Sequence, residues 1–379
     1  MKICQITNIP LMYRIFIKKL CEELVLNGHE VTVALNNDGK KILETGNKIN
    51  FYDLKLTRRV SLRLYLVSII NLIKFFRRNK FDVVNVHTPS VGLQTRIAAF
   101  ICRVPVVVYT AHGFYFHDKM IFYKRYLHQL IEFIFAKITT SIMMQSHEDY
   151  LFAKKKNFKN KESLFWISNG VNHKKFRPAT NDEKLICRAK YNIPNNTVVI
   201  SIVARLVEEK GHIELLQAIE ELIKEEFQNI KLMICGSYLK SDYFKGINKF
   251  VNQFKEKHPE NLILTGFLED PRSVYYSSDI FCLPSWREGM PRTVIEAMMC
   301  SLPVITTNIR GCREVVDNEV TGLVVQHKNY LELKKALKRM IIDTNLRDKF
   351  GRNGQKKALR EYKEEDYVSK QIAVLEKYN

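Results

Sequence analysis

Short apolar runs alternate along the chain with longer stretches whose apolar residues recur at helical spacing. Near-continuous apolar runs are the pattern of strands buried on both faces of a parallel sheet. In the first half they fall at Lys2–Thr7, Glu30–Leu35, Val83–His87, Val106–Thr110 and Ser141–Met144. Amphipathic stretches lie between them, including Met12–Asn27 and Ser61–Lys80. In the second half the strands read as Val198–Val203, Lys231–Cys235, Leu262–Thr265, Ile280–Leu283 and Val304–Thr306. Helices are expected there over His212–Glu226 and Arg292–Cys300. The C-terminus ends in helical segments over Tyr330–Ile342, Leu346–Tyr362 and Glu364–Tyr378.

Strand and helix thus alternate twice over, which predicts an α/β chain of two Rossmann-like, doubly wound parallel-sheet domains. The first is expected over residues 1–175 and the second over 190–360, with a linker at about 170–195. Residues 361–379 are expected to form a helix crossing back to the first domain. Sheets of this kind bind ligands beyond the C-terminal ends of their strands, so the cleft the domains face is the expected site.

Composition narrows the class. With 379 residues, 46% of them apolar and 26% charged, the chain is ordinary globular protein, neither disordered nor fibrous. Its longest uncharged stretches, Val104–His117 and Tyr191–Ala204, are too short for a spanning helix of about 18–20 residues. Met1–Gln5 runs straight into a strand pattern with no small-residue cleavage site, so no signal peptide is expected. Eight scattered cysteines form no C-x-x-C pair and read as reduced thiols of a cytoplasmic protein.

Charge changes the picture more. The formal net charge is +20, and it is uneven. Residues 1–180 hold 29 Lys and Arg against 12 Asp and Glu; residues 181–379 hold 31 against 28. An anionic partner is expected for the first half only. Nucleic acid is disfavoured because no helix-turn-helix or RNP motif is present. Leu54–Phe81 instead combines eight cations, Lys55, Arg58, Arg59, Arg63, Lys74, Arg77, Arg78 and Lys80, with interleaved apolar residues and no acid. Such a helix either packs its apolar side on the sheet or lies on an anionic membrane surface, and one helix can do both.

The second half carries candidate chemistry. Arg205 and Lys210 follow the strand Val198–Val203, with Gly211 before the next helix. They are either solvated surface charges or a clamp for a diphosphate. Glu288 and Glu296 stand eight residues apart after the strand Ile280–Leu283. Pro291 suits a helix start, and free N–H groups at Arg292, Thr293 and Val294 would favour a phosphate. In the first half, His112 and Gly113 follow the strand Val106–Thr110, and His87 ends the strand before it.

With Glu288, Glu296, Arg205 and Lys210 in this order, and Ser168-Asn169-Gly170-Val171-Asn172 before the linker, the chain resembles the retaining GT-B glycosyltransferases of family GT4. The resemblance covers nearly the whole chain and is of the bacterial capsule and exopolysaccharide type. It implies that Arg205 and Lys210 bind the diphosphate of a UDP-sugar donor. Glu296 would bind the ribose and Glu288 the transferred sugar. Gly289, Met290, Thr293 and Val294 would complete the sugar and phosphate pocket, with the base near Gly236 and Phe267-Leu268. His112 would approach the sugar, while Arg14, His87 and Gly113 would meet the acceptor.

Two departures stand out. Gly236-Ser237-Tyr238 replaces the G-x-G of many relatives, and Thr7–Arg14 replaces their Gly-Gly loop. No D-x-D motif occurs, so no metal and no cofactor is expected. The resemblance implies a metal-independent hexosyltransferase or N-acetylhexosaminyltransferase. It would move a sugar, N-acetylhexosamine first, to a polyprenyl-diphosphate-linked acceptor at the inner face of the cell membrane. Rivals are weaker: a starch or glycogen synthase would carry a Lys-x-Gly-Gly-Leu loop near its start, and an epimerase lacks the paired Glu.

Overall fold

The computed structural model describes every residue except 38–47, 57–60, 119 and 239–245. Arg58 and Arg59 of the basic stretch lie outside the described residues. The chain divides into two compact units: Met1–Ser168 with Glu365–Asn379, and Asn169–Glu364.

The first unit runs β1 (Lys2–Ile6), α1 (Pro10–Met12), α2 (Lys18–Leu26), β2 (Glu30–Leu35), β3 (Ile49–Asp53) and α3 (Leu62–Asn79). It continues with β4 (Val83–His87), α4 (Pro89–Ile101), β5 (Val106–Ala111), α5 (Phe122–Lys137), β6 (Ser141–Met144), α6 (His147–Lys155) and β7 (Leu164–Trp166). Its parallel sheet has the order β3-β2-β1-β4-β5-β6-β7. One face buries Leu72, Phe75 and Phe76 of α3, Ala98 and Ala99 of α4 and Ala136 of α5. The other buries Ile17, Leu20 and Leu24.

The second unit contains α7 (Asn181–Lys190), β8 (Val198–Val203), α8 (His212–Lys224), β9 (Ile230–Cys235), α9 (Ile247–Lys257), β10 (Leu262–Gly266) and α10 (Arg272–Ser277). Then come β11 (Ile280–Leu283), α11 (Arg292–Met299), β12 (Val304–Thr307), α12 (Cys312–Val315), β13 (Gly322–Val325), α13 (Tyr330–Ile342) and α14 (Thr344–Glu361). The sheet order is β10-β9-β8-β11-β12-β13, again parallel. The last helix, α15 (Glu364–Glu376), packs Tyr367, Val368, Val374 and Leu375 onto the second face of the first unit's sheet.

Three differences from the sequence reading have physical causes. Strands β3, β7 and β13, three of the four edge strands, are not among the expected strands. An edge strand is covered on fewer sides and needs no continuous apolar run, so the pattern need not announce it, although the fourth, β10, keeps one. The stretch Met12–Asn27 is not one regular helix, because Tyr13–Ile17 is a π-helical turn between α1 and α2. Such a turn is a local insertion that leaves the helical periodicity almost intact. The segment read as a linker belongs to the second unit and holds α7, whose start is fixed by a capping box. Thr180 accepts from the Glu183 N–H, and the Glu183 carboxylate accepts from the Thr180 N–H.

Candidate active site

In each sheet the strand order reverses at one place, between β1 and β4 in the first unit and between β8 and β11 in the second. Loops leaving neighbouring strands diverge there, which opens a crevice for a ligand.

At the second switch point, Arg205 and Lys210 follow β8, and Glu288 follows β11. Lys210 Nζ donates to Glu288 Oε1 at 2.5 Å, and Ser285 Oγ donates to the same oxygen at 2.7 Å. Both partners of the ion pair are largely shielded, with side-chain exposures of 16% and 11%. Shielding strengthens the attraction and fixes both charges at one spot. Arg205 pairs with Glu209 at 3.4 Å, and Arg287 reaches the other oxygen of Glu209 at 3.2 Å. The buried His212 ring donates from Nε2 to the Arg205 carbonyl at 2.9 Å. Burial holds the pKa of His212 down to about 4, so the ring is neutral at pH 7.

The loops meet by close backbone approach. Gly211 has φ +75°, and a Cβ there would stand 2.1 Å from the Pro284 carbonyl oxygen. Gly236 has φ +151°, and a Cβ would lie 1.8 Å from the Ala204 oxygen. Only glycine fits either place. Gly236 therefore holds the β9 loop against the chain entering Arg205. Leu206 N–H bonds the Ser237 carbonyl at 3.2 Å beside it. Phe267 is exposed and Leu268 half-buried after β10.

Glu296 lies on α11 and is buried. Tyr275 donates to its Oε2 at 2.8 Å and Arg292 Nε to its Oε1 at 3.1 Å. Burial raises its pKa, and the nearby Arg292 charge opposes that rise. Glu296 is therefore no solvated surface acid. Arg292 also donates to the Gly170 carbonyl at 2.8 Å and meets Glu364 at 3.6 Å. Asn169 Nδ2 donates to the Met290 carbonyl at 3.1 Å, which anchors the Gly289-Met290 turn.

Two expectations about the start of α11 are corrected. Pro291 is the residue before the helix, with φ −73° and ψ 105°, rather than its first turn. The Val294 N–H is not free: it donates to the Pro291 carbonyl at 3.2 Å, and its side chain is fully buried. An i→i−3 bond closes the first turn, leaving Arg292 and Thr293 as the N–H groups ahead of it.

In the first unit the polar groups form a buried ladder across β1, β4 and β5. Thr110 donates to Asn85 at 2.8 Å, and Asn85 to Gln5 at 2.9 Å. His87 Nε2 meets Gln5 Oε1 at 3.0 Å, and His87 Nδ1 meets His112 Nε2 at 3.1 Å. Phe16, from the π-helical turn, lies edge-on to the His112 ring with centroids 4.9 Å apart. Asn85 Nδ2 also lies 3.3 Å from His87 Nε2, and the His87–His112 contact pairs one ring nitrogen as donor with the other as acceptor. Burial lowers the pKa of His87 well below its usual value and that of His112 to about 4. His87, expected to meet the acceptor, is fully buried and meets the His112 ring. Gly113 follows at φ +127°, and Arg14 is exposed on the π-helical turn.

Several functional neighbours escaped the sequence reading. Tyr275 lies 21 residues before Glu296, and nothing in the pattern joins them. Gln5 and Asn85 did carry a signal, each being polar inside an otherwise apolar buried strand.

Comparison with known proteins now adds the family. Residues 2–146 match the glycosyl transferase 4-like family and residues 183–357 the glycosyl transferases group 1 family. A capsular polysaccharide biosynthesis glycosyltransferase, CapM of Staphylococcus aureus, is 30% identical over 329 residues, covering 85% of this chain and 83% of that one. This chain belongs to the GT4 glycosyltransferases. Its type within the family is that of capsule and exopolysaccharide synthesis. An Escherichia coli UDP-Gal:alpha-D-GlcNAc-diphosphoundecaprenol alpha-1,3-galactosyltransferase is also 30% identical, over 77% of this chain and 75% of that enzyme. The GT-B fold is shared with Anabaena Alr3699/HepE in complex with UDP and glucose, at a TM-score of 0.79 and 18% identity over 100% of this chain and 99% of that one. Sucrose-phosphate synthase from Thermosynechococcus elongatus has a TM-score of 0.82 at 15% identity, over 99% and 98%.

Proposed function

We propose that this glycosyltransferase moves a sugar from a UDP donor to a polyprenyl-diphosphate-linked sugar, with retention of configuration and without a metal. The observation that carries the reading is the shielded Lys210–Glu288 pair at the switch point, with Arg205 on the same loop and Glu296 on the helix that follows. A diphosphate arriving there draws Lys210 and Arg205 as counter-charges and frees Glu288 to accept from sugar hydroxyls. Glu296, held by Tyr275 and Arg292, has lone pairs left for two vicinal ribose hydroxyls.

Among the described residues none is assigned as a nucleophile for a covalent intermediate in this reading, so transfer is front-face. The bond from the anomeric carbon to the diphosphate oxygen breaks, and the acceptor oxygen bonds to that carbon on the same face. The acceptor proton goes to the departing diphosphate. Positive charge grows on the sugar in between, and a neutral His112 tolerates it where an imidazolium would not.

N-acetylhexosamine is the first donor candidate. Galactose is the second, because the E. coli relative is named for UDP-Gal. The same relative's name supports the lipid-diphosphate acceptor. The basic face of α3 and the uneven charge support work at the cytoplasmic membrane surface. Among the described residues no helix is long and apolar enough to cross a membrane. The test is a panel of UDP-sugars against synthetic polyprenyl-diphosphate sugars, with linkage read by NMR. Transfer to none of these acceptors, alongside transfer to a soluble glycan, would replace the lipid acceptor with a soluble one.

A further inference from the structure

Helix α5 is turned inside out relative to an ordinary surface helix. Its acid is buried and its apolar residues face solvent. Glu132 and Ala136 are its buried positions. Glu132 meets the fully buried Arg96 of α4 at 3.1 Å. Arg96 also lies over the Tyr109 ring at 4.2 Å and donates from Nε to the Gly92 carbonyl at 3.1 Å. At about 100° per residue, the side of α5 opposite Glu132 carries Tyr123, Tyr126, Leu127, Leu130 and Ile134. All five are exposed, Tyr126 at 66%, and Phe122 at the helix start reaches 82%.

An amphipathic helix normally buries such a stripe. Here the buried ion pair forbids it. Rotating α5 to cover the stripe would leave Arg96 charged in the core without its carboxylate. The outward apolar face is therefore held in place by the fold itself.

The first half of α3 extends the face. Leu64, Leu66, Val67 and Ile70 are exposed, and Tyr65 Oη bonds Ser90 Oγ at the start of α4 at 2.9 Å. Helices α3, α4 and α5 pack on one face of the sheet through Leu72, Ala98 and Ala136. Each begins where a parallel strand or its loop ends, so the first turns of α3 and α5 lie toward the C-terminal edge that also carries His112. The exposed charges on α3 and α5 share one sign: Arg63, Lys74, Arg77, Arg78, Lys124 and Lys137 are exposed, and the one acid of the two helices is the buried Glu132.

We propose that this face docks on an anionic bilayer. Side chains of α5 and the first half of α3 enter the boundary between headgroups and acyl chains, and the surrounding Lys and Arg meet anionic headgroups. Tyrosine suits that boundary, with an apolar ring and a polar tip. A second copy of the chain fits less well, since a twofold contact would bring these cations against themselves. The inference deepens the membrane-surface reading above and rests on it for its purpose: a lipid-diphosphate acceptor would emerge beside the His112 edge.

The experiment uses the full chain and two kinds of vesicle, phosphatidylcholine alone and phosphatidylcholine with phosphatidylglycerol. The unaltered protein is expected to float with the anionic vesicles and, far less, with the neutral ones. Replacing four exposed residues (Tyr123→Ser, Tyr126→Ser, Leu127→Ser, Leu130→Ser) should weaken flotation about tenfold or more while leaving the circular dichroism spectrum unchanged. Tyr126→Trp should be quenched by lipids brominated in their acyl chains. Flotation of the fourfold variant equal to the unaltered protein overturns the proposal. So does a variant that changes only from dimer to monomer in sedimentation, since the face would then be a self-contact. Vesicle binding without transfer to any polyprenyl-diphosphate sugar upholds the docking face and removes the acceptor reading, so the two fail separately.

Discussion

The two switch points solve the same problem in opposite ways. At β8 and β11 the polar groups are ionised, partly open to water and held in pairs: Lys210 with Glu288, Arg205 with Glu209. At β1 and β4 they are neutral and buried: Gln5, Asn85, His87 and His112 bond one another inside the sheet edge. Ionised groups near water can exchange partners when a charged ligand arrives. Neutral groups in a buried ladder cannot exchange partners and serve to orient one ring. Under the proposed function, a donor site that must grip and release a diphosphate, and a wall that must only present His112, would call for these different constructions.

The largest test of this contrast removes a charge from the open edge. Lys210→Ala or Arg205→Ala should lower turnover by about 10²-fold or more, the scale of a lost transition-state donor. Near-normal initial rates for both variants would dissolve the clamp and with it the contrast.

Next is the pH dependence of the buried wall. His112 has a folded pKa of about 4 against an ordinary 6.5. Between those values the unfolded chain binds the extra proton, so stability is full above about pH 6.5 and falls as pH drops toward 4. The loss should be on the order of 2–3 kcal/mol for this ring. His212, also near 4, gives the second unit a similar share. Urea unfolding from pH 7.5 to 4.5 should show a shallower fall in His112→Gln for the first unit. Identical slopes for variant and parent would mean the ring is not desolvated.

A smaller effect is expected at the ribose end. Glu296→Gln should weaken UDP binding roughly tenfold, since a charged acceptor is exchanged for a neutral one. Calorimetry would read it, and an unchanged affinity would leave Glu296 as a structural partner of Tyr275 and Arg292. The smallest expected effect is none: initial rates should survive excess chelator, because the clamp supplies the counter-charge. Abolished activity that returns with a divalent cation would reverse that assignment.

Much of this was legible in the chain. The interior strands announced themselves as apolar runs, since burial on both faces permits little else. Of the edge strands, β10 did and β3, β7 and β13 did not, because a strand with one side unpartnered need not keep an apolar run. The four charged residues of the second unit were readable because their spacing follows local geometry: a strand, a short loop, a helix start. Tyr275, which holds Glu296, was not, because that partnership depends on how α10 and α11 pack, whereas Arg292 stands one turn before Glu296 on the same helix and pairs with it by local geometry.

The order of apolar runs and the spacing of Arg205, Lys210, Glu288 and Glu296 were thus determined by the sequence alone, because strand burial and loop geometry are local. Whether a polar residue is charged or neutral, and which side of a helix meets water, was decided only in three dimensions. His87 reads as a cleft histidine until its neighbours bury it. The apolar stripe on α5 faces water because Arg96, 36 residues before Glu132, claims the inner side. Desolvation and ion pairing depend on everything within a few ångströms, and residues far apart in the chain supply most of that.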